Sequence, residues 1–493
     1  MSAYPALVIT IPLLATFVGT GCYWLNRKLC YPVALLGLAG SLYTSVCLLI
    51  KVMAKGSIGH YHAGWTPPWG IEYRVDLLNS FVLVIIGSVA LINLVASYLN
   101  IEQEMSEKSG IFYPLYLLFV TGLSGVVITG DLFNLYVLLE VTSLSAYALI
   151  AMGSKDRAPL ASLNYVFIGV IGASFFLLGT GYLYIMTGSL NMVNVGALLP
   201  ELYSSQAILV GFVFCIIGVW IKMAFFPLHV WLPNAYTYAP IAASRVIAPL
   251  MTKAMVYVMI RLMLTVFRPE YIYAVLDLQN VIVWLSCLAI VAGAVMALAQ
   301  KNVMKMLTYI IVSEIGYMVG GAWLGNQAGM TGSVLHILND ALMTFCLFLA
   351  VGNIGVLGKG FRLDSLQGIF QKMPVTMACF VLGGLSIIGV PPTCGFFSKW
   401  YLLNGAIQAG HYAFLVALLL SSLVNVILFF RIFEIGFFEP MSHGHTYAHQ
   451  SGGAIQEAPI SMLVPLILVS FGLLVVGLYS GLIVQQIIVP FLT

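Results

Sequence analysis

"FVFCIIGVWIKMAFFPLHVWLPNAY", Phe212–Tyr236, sets an ammonium group, Lys222, and two helix breakers, Pro227 and Pro233, inside an otherwise apolar run. Proline removes a backbone donor and its ring clashes with the preceding turn. In hydrocarbon the freed carbonyls must find water or protein partners. The run is therefore expected to be a broken membrane span beside a polar interior. An ionisable side chain at the bilayer centre costs about 3 kcal/mol or more by insertion scales. Discontinuous helices at that depth are a mark of ion transporters.

The rest of the chain fits that reading. Of 493 residues, 61% are hydrophobic and only 8% charged, against roughly 25% in a soluble domain. The fold class expected is an all-α polytopic membrane protein embedded in a lipid bilayer. A net charge of +3 gives no reason to expect nucleic acid as a partner. The eight cysteines contain no C-x-x-C pair. Cys22, Cys47, Cys215, Cys287, Cys346, Cys379 and Cys394 lie in or beside apolar runs and read as small buried hydrophobes. Without a cysteine motif or a glycine-rich phosphate loop, no cofactor and no metal are expected, and any redox chemistry would lie on partners. The N-terminus, apolar from Ala6 without a basic lead-in, reads as a retained first span.

A spanning helix needs about 20 apolar residues. Such runs number about fourteen, near 4–24, 32–53, 76–99, 111–130, 132–152, 161–187, 207–237, 241–266, 275–299, 303–324, 329–357, 375–404, 411–435 and 460–488. With the N-terminus outside, the inner loops hold Arg27, Lys28, Lys108, Lys155, Arg157, Lys301, Lys305, Lys359, Arg362, Lys372 and Arg431. The outer loops hold only Lys55, Arg74 and Arg268 clearly. That asymmetry is the positive-inside pattern, and an even span count returns the C-terminus to the outside. The loop "GHYHAGWTPPWGIEYRVD" (59–76), rich in Trp and Pro, is expected at the outer interface. The loop 436–459 carries His443, His445 and His449 in no specific ligand spacing and reads as solvated.

Six ionisable groups fall well inside expected spans: Glu140, Lys222, Lys253, Glu314, Asp340 and Lys399. Some could be ion pairs that merely fasten helices. Against that, Lys222 precedes Pro227, and Lys399 follows "GVPPTCGFF", where Pro391 and Pro392 break a second span. Glu140 lies 174 positions before Glu314, and Lys222 lies 177 before Lys399. An intact span with Glu and a broken span with Lys thus occur twice, five spans apart. An odd offset reverses the second unit, giving inverted repeats. Burial disfavours a charged lysine and a nearby carboxylate restores it, so a pair that closes and opens takes up and releases a proton. Each pKa unit of swing is about 1.4 kcal/mol, and moving one charge through 100 mV is about 2.3 kcal/mol; the two are commensurate.

"TGDLFNLYVLLEVTSLSAYALIA", "WIKMAFFPLHVWLPNAYTYAP" and "GVPPTCGFFSKWYLL" resemble the antiporter-like membrane subunits of respiratory complex I, membrane-bound hydrogenases and multi-subunit Mrp-type cation/proton antiporters. The likeness runs from about residue 60 to 435. "GWTPPWGIEYRVDLLN" and the lysine of "GFFSKW" look most like the Mrp D subunit and its hydrogenase relatives. The resemblance implies fourteen helices, inverted five-helix repeats of spans 4–8 and 9–13, broken seventh and twelfth helices, and a proton relay. On that likeness Glu140, Lys222, Lys253 and Lys399 are the relay. His229, in "FFPLHVWLP", belongs to the motif at the break, where a packing role is the equal alternative. The family's H-x-x-x-H-A-L-x-K on the eleventh span reads "HILNDALMT" here: His336 remains, while Asp340 and Thr344 replace the second histidine and the lysine. Glu314 stands where a histidine or neutral polar residue is usual. His229, Glu314, His336 and Asp340 are thus candidates for a relay or cation site. The two extra carboxylates could ligate sodium, or pair with Lys399 and pass protons.

The expected division is 1–110 (helices 1–3 and the outer loop), 111–270 and 271–440 (the two half-channel repeats), and 441–493 (a loop and helix 14). The function expected is proton translocation within a multi-subunit membrane complex, coupled to sodium exchange, with homologous antiporter-like subunits among its partners. The alternatives are the proton-pumping subunit of a redox complex of hydrogenase or NADH/quinone oxidoreductase type, and a structural subunit with an inactive relay. The expected location is the prokaryotic plasma membrane, multi-pass, with both termini outside.

Overall fold

Long apolar runs hold their backbone hydrogen bonds within themselves, which is what lipid requires, and here they fold as helices. The computed structural model describes residues 4–356, 360–438 and 455–492; the loop histidines His443, His445 and His449, and Lys359, lie outside them. The helices are α1 (Tyr4–Leu25), α2 (Cys30–Lys55), α3 (Leu77–Glu104), α4 (Ser109–Ile128), α5 (Leu132–Ala151) and α6 (Ala158–Thr187). Then follow α7a (Gln206–Met223), α7b (Leu232–Tyr238), α8 (Ile241–Arg261), α9 (Gln279–Leu298), α10 (Val303–Trp323) and α11 (Gln327–Gly355). The last are α12a (Pro374–Ile388), α12b (Cys394–Ala409), α13 (Tyr412–Phe437) and α14 (Ile460–Leu478). Among the described residues 13 helices are long and apolar enough to cross a membrane. The interrupted α12, whose halves are 15 and 16 residues long, makes the fourteenth span. The chain is a multi-pass membrane protein.

The 54–76 segment departs from the loop expected of it. Ile58–Tyr61 (β1) and Glu72–Val75 (β2) form an antiparallel hairpin, with Trp65 and Trp69 exposed at its tip. Gly130 N–H donates to the Glu72 carbonyl at 2.9 Å, tying the hairpin to the α4–α5 turn. This end of the molecule is the hairpin face; the opposite end carries Arg27, Lys108, Lys155 and Arg157 and is the basic face.

Both proline breaks are present. α7a stops at Ala224, whose φ is +60°, and the chain resumes as a helix at Leu232, with Pro233 at the first turn. α12a stops at Gly389 (φ +94°), where a Cβ would also press on the Lys399 side chain. Carbonyls at the breaks take side-chain donors: Trp231 Nε1 reaches the Ile221 carbonyl at 3.1 Å, beside the Ala224 N–H that this carbonyl also accepts, and Lys399 Nζ reaches that of Ile387 at 2.5 Å. The order of three long helices, one broken and one long occurs twice, in α4–α8 and α9–α13. α4 starts on the basic face and α9 on the hairpin face, so the second series is inverted.

Burial is uneven. In α8 and α11, 94% of the apolar window is inside the fold, and in α10, 89%, against 39% in α6 and α13. These three helices are the centre of the molecule, and Arg245, Lys253, Glu314, His336 and Asp340 are buried on them.

At the hairpin face Arg261 grips Asp76 with two bonds, Nη1–Oδ2 at 2.7 Å and Nη2–Oδ1 at 3.0 Å. Asp76 also caps α3: its Oδ1 accepts from Asn79 N–H, and Asn79 Oδ1 accepts from Asp76 N–H. Burial opposes ionisation of this carboxyl, but the Arg261 guanidinium outweighs it and holds Asp76 below the usual carboxylate range. The pair's stabilisation is then present above pH ~3.9, the unfolded value, and lost as pH falls through the lower folded value. Asp76→Ala, which removes both pair and cap, is expected to cost about 3–5 kcal/mol, and Asp76→Asn, which keeps a capping oxygen, somewhat less. Thermal unfolding in detergent at pH 7 measures both.

Candidate functional site

Glu140 and Ser143 lie three residues apart on α5, hence on one face, and both meet Lys222 in the last turn of α7a. Lys222 Nζ is 3.1 Å from Glu140 Oε1 and donates to Ser143 Oγ at 2.7 Å. The lysine is 1% exposed, whereas the glutamate side chain is 23% exposed. It lies on a stripe with Phe133, Val137 and Leu144 that faces outward. Tyr147, one turn beyond Ser143, meets Tyr165 edge-on at 4.6 Å, and Tyr165 stacks on Trp231 at 3.8 Å. The buried hydroxyls of Tyr165 and Tyr236 have no protein partner. Buried polar groups are ordinarily satisfied by protein or by ordered water.

α8 and α11 meet at the second pair. Lys253 Nζ lies 2.9 Å from Asp340 Oδ2, with side chains 3% and 0% exposed. It is a close ionic contact rather than an aligned hydrogen bond, and Lys253 also points to the Ala248 carbonyl at 3.4 Å. Thr344, one turn along α11, donates to Asp340 Oδ1 at 2.8 Å.

His336 is one turn before Asp340 on α11. Its Nε2 is 2.6 Å from Glu314 Oε2 on α10, and its Nδ1 is 2.8 Å from Ser398 Oγ on α12b. Asn339 Nδ2 donates to Ser398 Oγ and to the Cys394 carbonyl. Glu314 and His336 are both fully buried.

Lys399 neighbours Ser398 but takes a separate set of contacts: the Ile387 carbonyl, Ser422 Oγ at 3.2 Å, and the Tyr317 ring at 5.0 Å. Tyr317 donates to Ser421 Oγ, which also bonds Ser313 beside Glu314.

The four relay candidates thus sit in three clusters, with Glu140, Lys222 and Ser143 at one end, Lys253 and Asp340 in the middle, and Lys399 at the other end. Of the two alternatives for the extra carboxylates, pairing with Lys399 is not a direct contact, though both act on that lysine from further off. Asp340 is held by Lys253 and Glu314 by His336, because α11 presents positions 336 and 340 to two different neighbours. An oxygen cage for sodium is not formed by these carboxylates either, since each already touches a basic group, and among the described residues no three His, Cys, Asp or Glu side chains converge. His229 stands apart from that cluster. It stacks on Phe226 at 5.3 Å and meets the Tyr309 ring at 6.3 Å, and its Nδ1 has no hydrogen-bond partner.

The two lysines also differ in a way their 177-residue spacing hides. Lys222 precedes its break and Lys399 follows its own. Yet Lys222 stands five residues before Pro227, and Ile387 stands five before Pro392. Lys399 therefore reaches back over the break and puts its ammonium on the carbonyl of the position corresponding to Lys222.

Ser143 and Tyr147 were legible as the i+3 and i+7 companions of Glu140. A fully buried arginine, Arg245 on α8, gave no such signal.

Broken helices that hold lysines against acids, carbonyls and hydroxyls in a membrane interior define a class of membrane ion carriers. The family described as NADH:quinone oxidoreductase/Mrp antiporter, TM, matches residues 129–425, and the chain belongs to it. It is similar to NADH-quinone oxidoreductase subunit N of Desulforudis audaxviator (strain MP104C), 38% identical over 490 residues that cover 98% of this chain and 97% of that one. It is similar to the D subunit of the Na(+)/H(+) antiporter of Bacillus subtilis (strain 168), 28% identical over 86% of this chain and 85% of that one. A chain of the membrane-bound sulfane sulfur reductase, an archaeal respiratory membrane complex, superposes with a TM-score of 0.90 at 27% identity, over 99% of this chain and 96% of that one.

Removing one partner of a buried ion pair strands the other. Asp340→Asn is expected to destabilise by about 3–5 kcal/mol, and adding Lys253→Met to recover most of the loss. Thermal unfolding of the two variants in detergent gives the comparison.

Proposed function

We propose that this chain carries protons through the membrane interior, as one membrane subunit of a larger assembly. The observation that carries the reading is the series of contacts itself. Glu140–Lys222, Lys253–Asp340 and Glu314–His336 are three buried couples of acid and base, each able to exchange a proton, and Lys399 ends the series against neutral acceptors. Lys222, Lys253 and Lys399 are the proton-bearing groups; Glu140 and Asp340 stabilise the charged lysines beside them. His336 exchanges a proton with Glu314 and is oriented by Ser398, and His229 serves the break beside Lys222.

Two relatives' names support two settings for the parent assembly, cation exchange and NADH-quinone oxidoreduction. In either, the protons are this chain's part and the coupling chemistry belongs to its partners. Sodium is at most the partners' cargo, since the carboxylates offered for it are engaged. The stripe around Glu140 supports a partner: a carboxylate left facing lipid is costly, and a neighbouring membrane subunit laid on α5 would cover it. The scarcity of basic residues at the hairpin face supports that face as the outer one, with both termini there, in a prokaryotic plasma membrane.

In vesicles holding the assembled complex, Lys222→Ala is expected to lower driven proton flux by at least about tenfold, and Ser143→Ala by less, since one neutral hydrogen bond is worth about 1 kcal/mol. Undiminished flux in Lys222→Ala would sink the relay and favour a structural subunit.

A further inference from the structure

Arg245 is the largest charged side chain sealed in the fold. It lies one turn into α8 from the basic face and is 0% exposed. Its donors are all engaged, and only by neutral acceptors. Nε points to the Phe348 carbonyl at 3.4 Å; Nη1 reaches Asn100 Oδ1 at 3.0 Å and Ser97 Oγ at 3.5 Å; Nη2 reaches the Leu349 carbonyl at 3.0 Å and Asn353 Oδ1 at 2.8 Å. Glu104, at the end of α3, makes its direct contacts elsewhere, with the Ile241 N–H at 3.2 Å and Ser154 Oγ at 3.3 Å, and its charge acts on Arg245 only from beyond contact. The socket is shaped to the guanidinium, since a Cβ on Gly352 would collide with it.

Fastening α3, α8 and α11 does not require this charge. Burying an ion with no counter-ion in contact costs several kcal/mol, and apolar packing does the fastening job as well or better. What a fixed cation does that packing cannot is repel a second cation. A guanidinium gives up its proton far less readily than an ammonium, so an arginine is a poor proton carrier. Arginines in pores exclude protons and cations on that principle.

The position is the one such a barrier needs. Arg245 precedes Lys253 by eight residues on α8, about 12 Å along the axis. Its partners Leu349 and Asn353 follow Asp340 on α11. The same two helices that make the Lys253–Asp340 couple therefore carry Arg245 between that couple and the basic face.

We propose that Arg245 is an electrostatic plug, which stops the Lys253–Asp340 couple from exchanging protons directly with the aqueous phase at the basic face. This rests on the relay reading and adds a direction to it: protons come to Lys253 from its neighbours in the series, not from the nearby surface.

The test is passive proton permeability of vesicles containing the assembled complex, under an imposed pH gradient with no driving reaction. Asn353→Asp is the decisive variant. It keeps the shape and the acceptor that Arg245 grips, and cancels the charge. A plug predicts a leak at least about tenfold above the native complex; a mere clamp predicts a firmer fold and no leak. Arg245→Gln is expected to leak likewise, and Arg245→Lys to stay tight. Adding Lys253→Met to Asn353→Asp is expected to close the leak. Native tightness in Asn353→Asp, or a leak that Lys253→Met leaves undiminished, overturns the plug. Lys222→Ala reports on the relay separately: lost flux there beside a tight Asn353→Asp defeats the plug alone, while retained flux defeats the reading beneath it.

Discussion

The expense of placing a charge in hydrocarbon governs this molecule. Each ionisable group inside the spans has to meet a partner, and the partner sits on another helix. The Lys222–Glu140 contact ties α7a to α5, Lys253–Asp340 ties α8 to α11, and Glu314–His336 ties α10 to α11. Those contacts fix how each helix is rotated about its own axis, because a turn of a third would leave a charge facing an apolar neighbour. The most buried helices, α8, α10 and α11, therefore carry charges too, which inverts the usual rule that charged residues stay outside. The interactions that hold the centre together are the same ones proposed to carry a proton.

The two breaks show how backbone and side chain share that work. A helix broken by proline frees carbonyls, and a free carbonyl in lipid needs a donor. In the first half an indole N–H supplies it, which leaves Lys222 for a carboxylate. In the second half Lys399 itself supplies it, with Ser422 and the Tyr317 ring beside it. The ammonium groups thus come to corresponding places by different routes and in different company. One touches a formal negative charge; the other touches only neutral groups, with Glu314 and Asp340 acting on it from further off. The two halves are chemically unequal despite their common order of helices.

Sequence alone disclosed what backbone chemistry dictates locally. Runs of apolar residues marked the spans, and Pro227 and Pro391–Pro392 marked the breaks, because proline acts on its own turn whatever surrounds it. The partnership of Glu140 with Lys222 was also within reach, since each stands beside a feature that requires explanation. Pairing across the centre was not. Whether Asp340 meets Lys253 or Lys399 depends on which helices flank α11, and hydropathy has no memory of neighbours. Arg245 escaped notice because an arginine one turn from a span end ordinarily snorkels to water; only the packing of α3 and α11 over it closes that route. The hairpin was hidden for a related reason: β1 and β2 are four residues each, and their pairing depends on a turn built from Trp, Pro and Gly.

The last asymmetry concerns who controls the charges. Glu314 is wholly enclosed, and its direct partner is His336. Glu140 is not enclosed, and the apolar stripe it shares with Phe133, Val137 and Leu144 is what a neighbouring membrane subunit would cover. A polar or charged group on that neighbour would therefore alter the balance between Glu140 and Lys222 without entering this chain at all. Drawing Glu140 outward leaves Lys222 with Ser143 and a much weaker hold on its proton. The proton then has to go to another base, and the series of couples offers one. On the proposed relay, control would enter at Glu140 and travel inward, because the later couples, Lys253–Asp340 and Glu314–His336, are enclosed by the chain's own side chains.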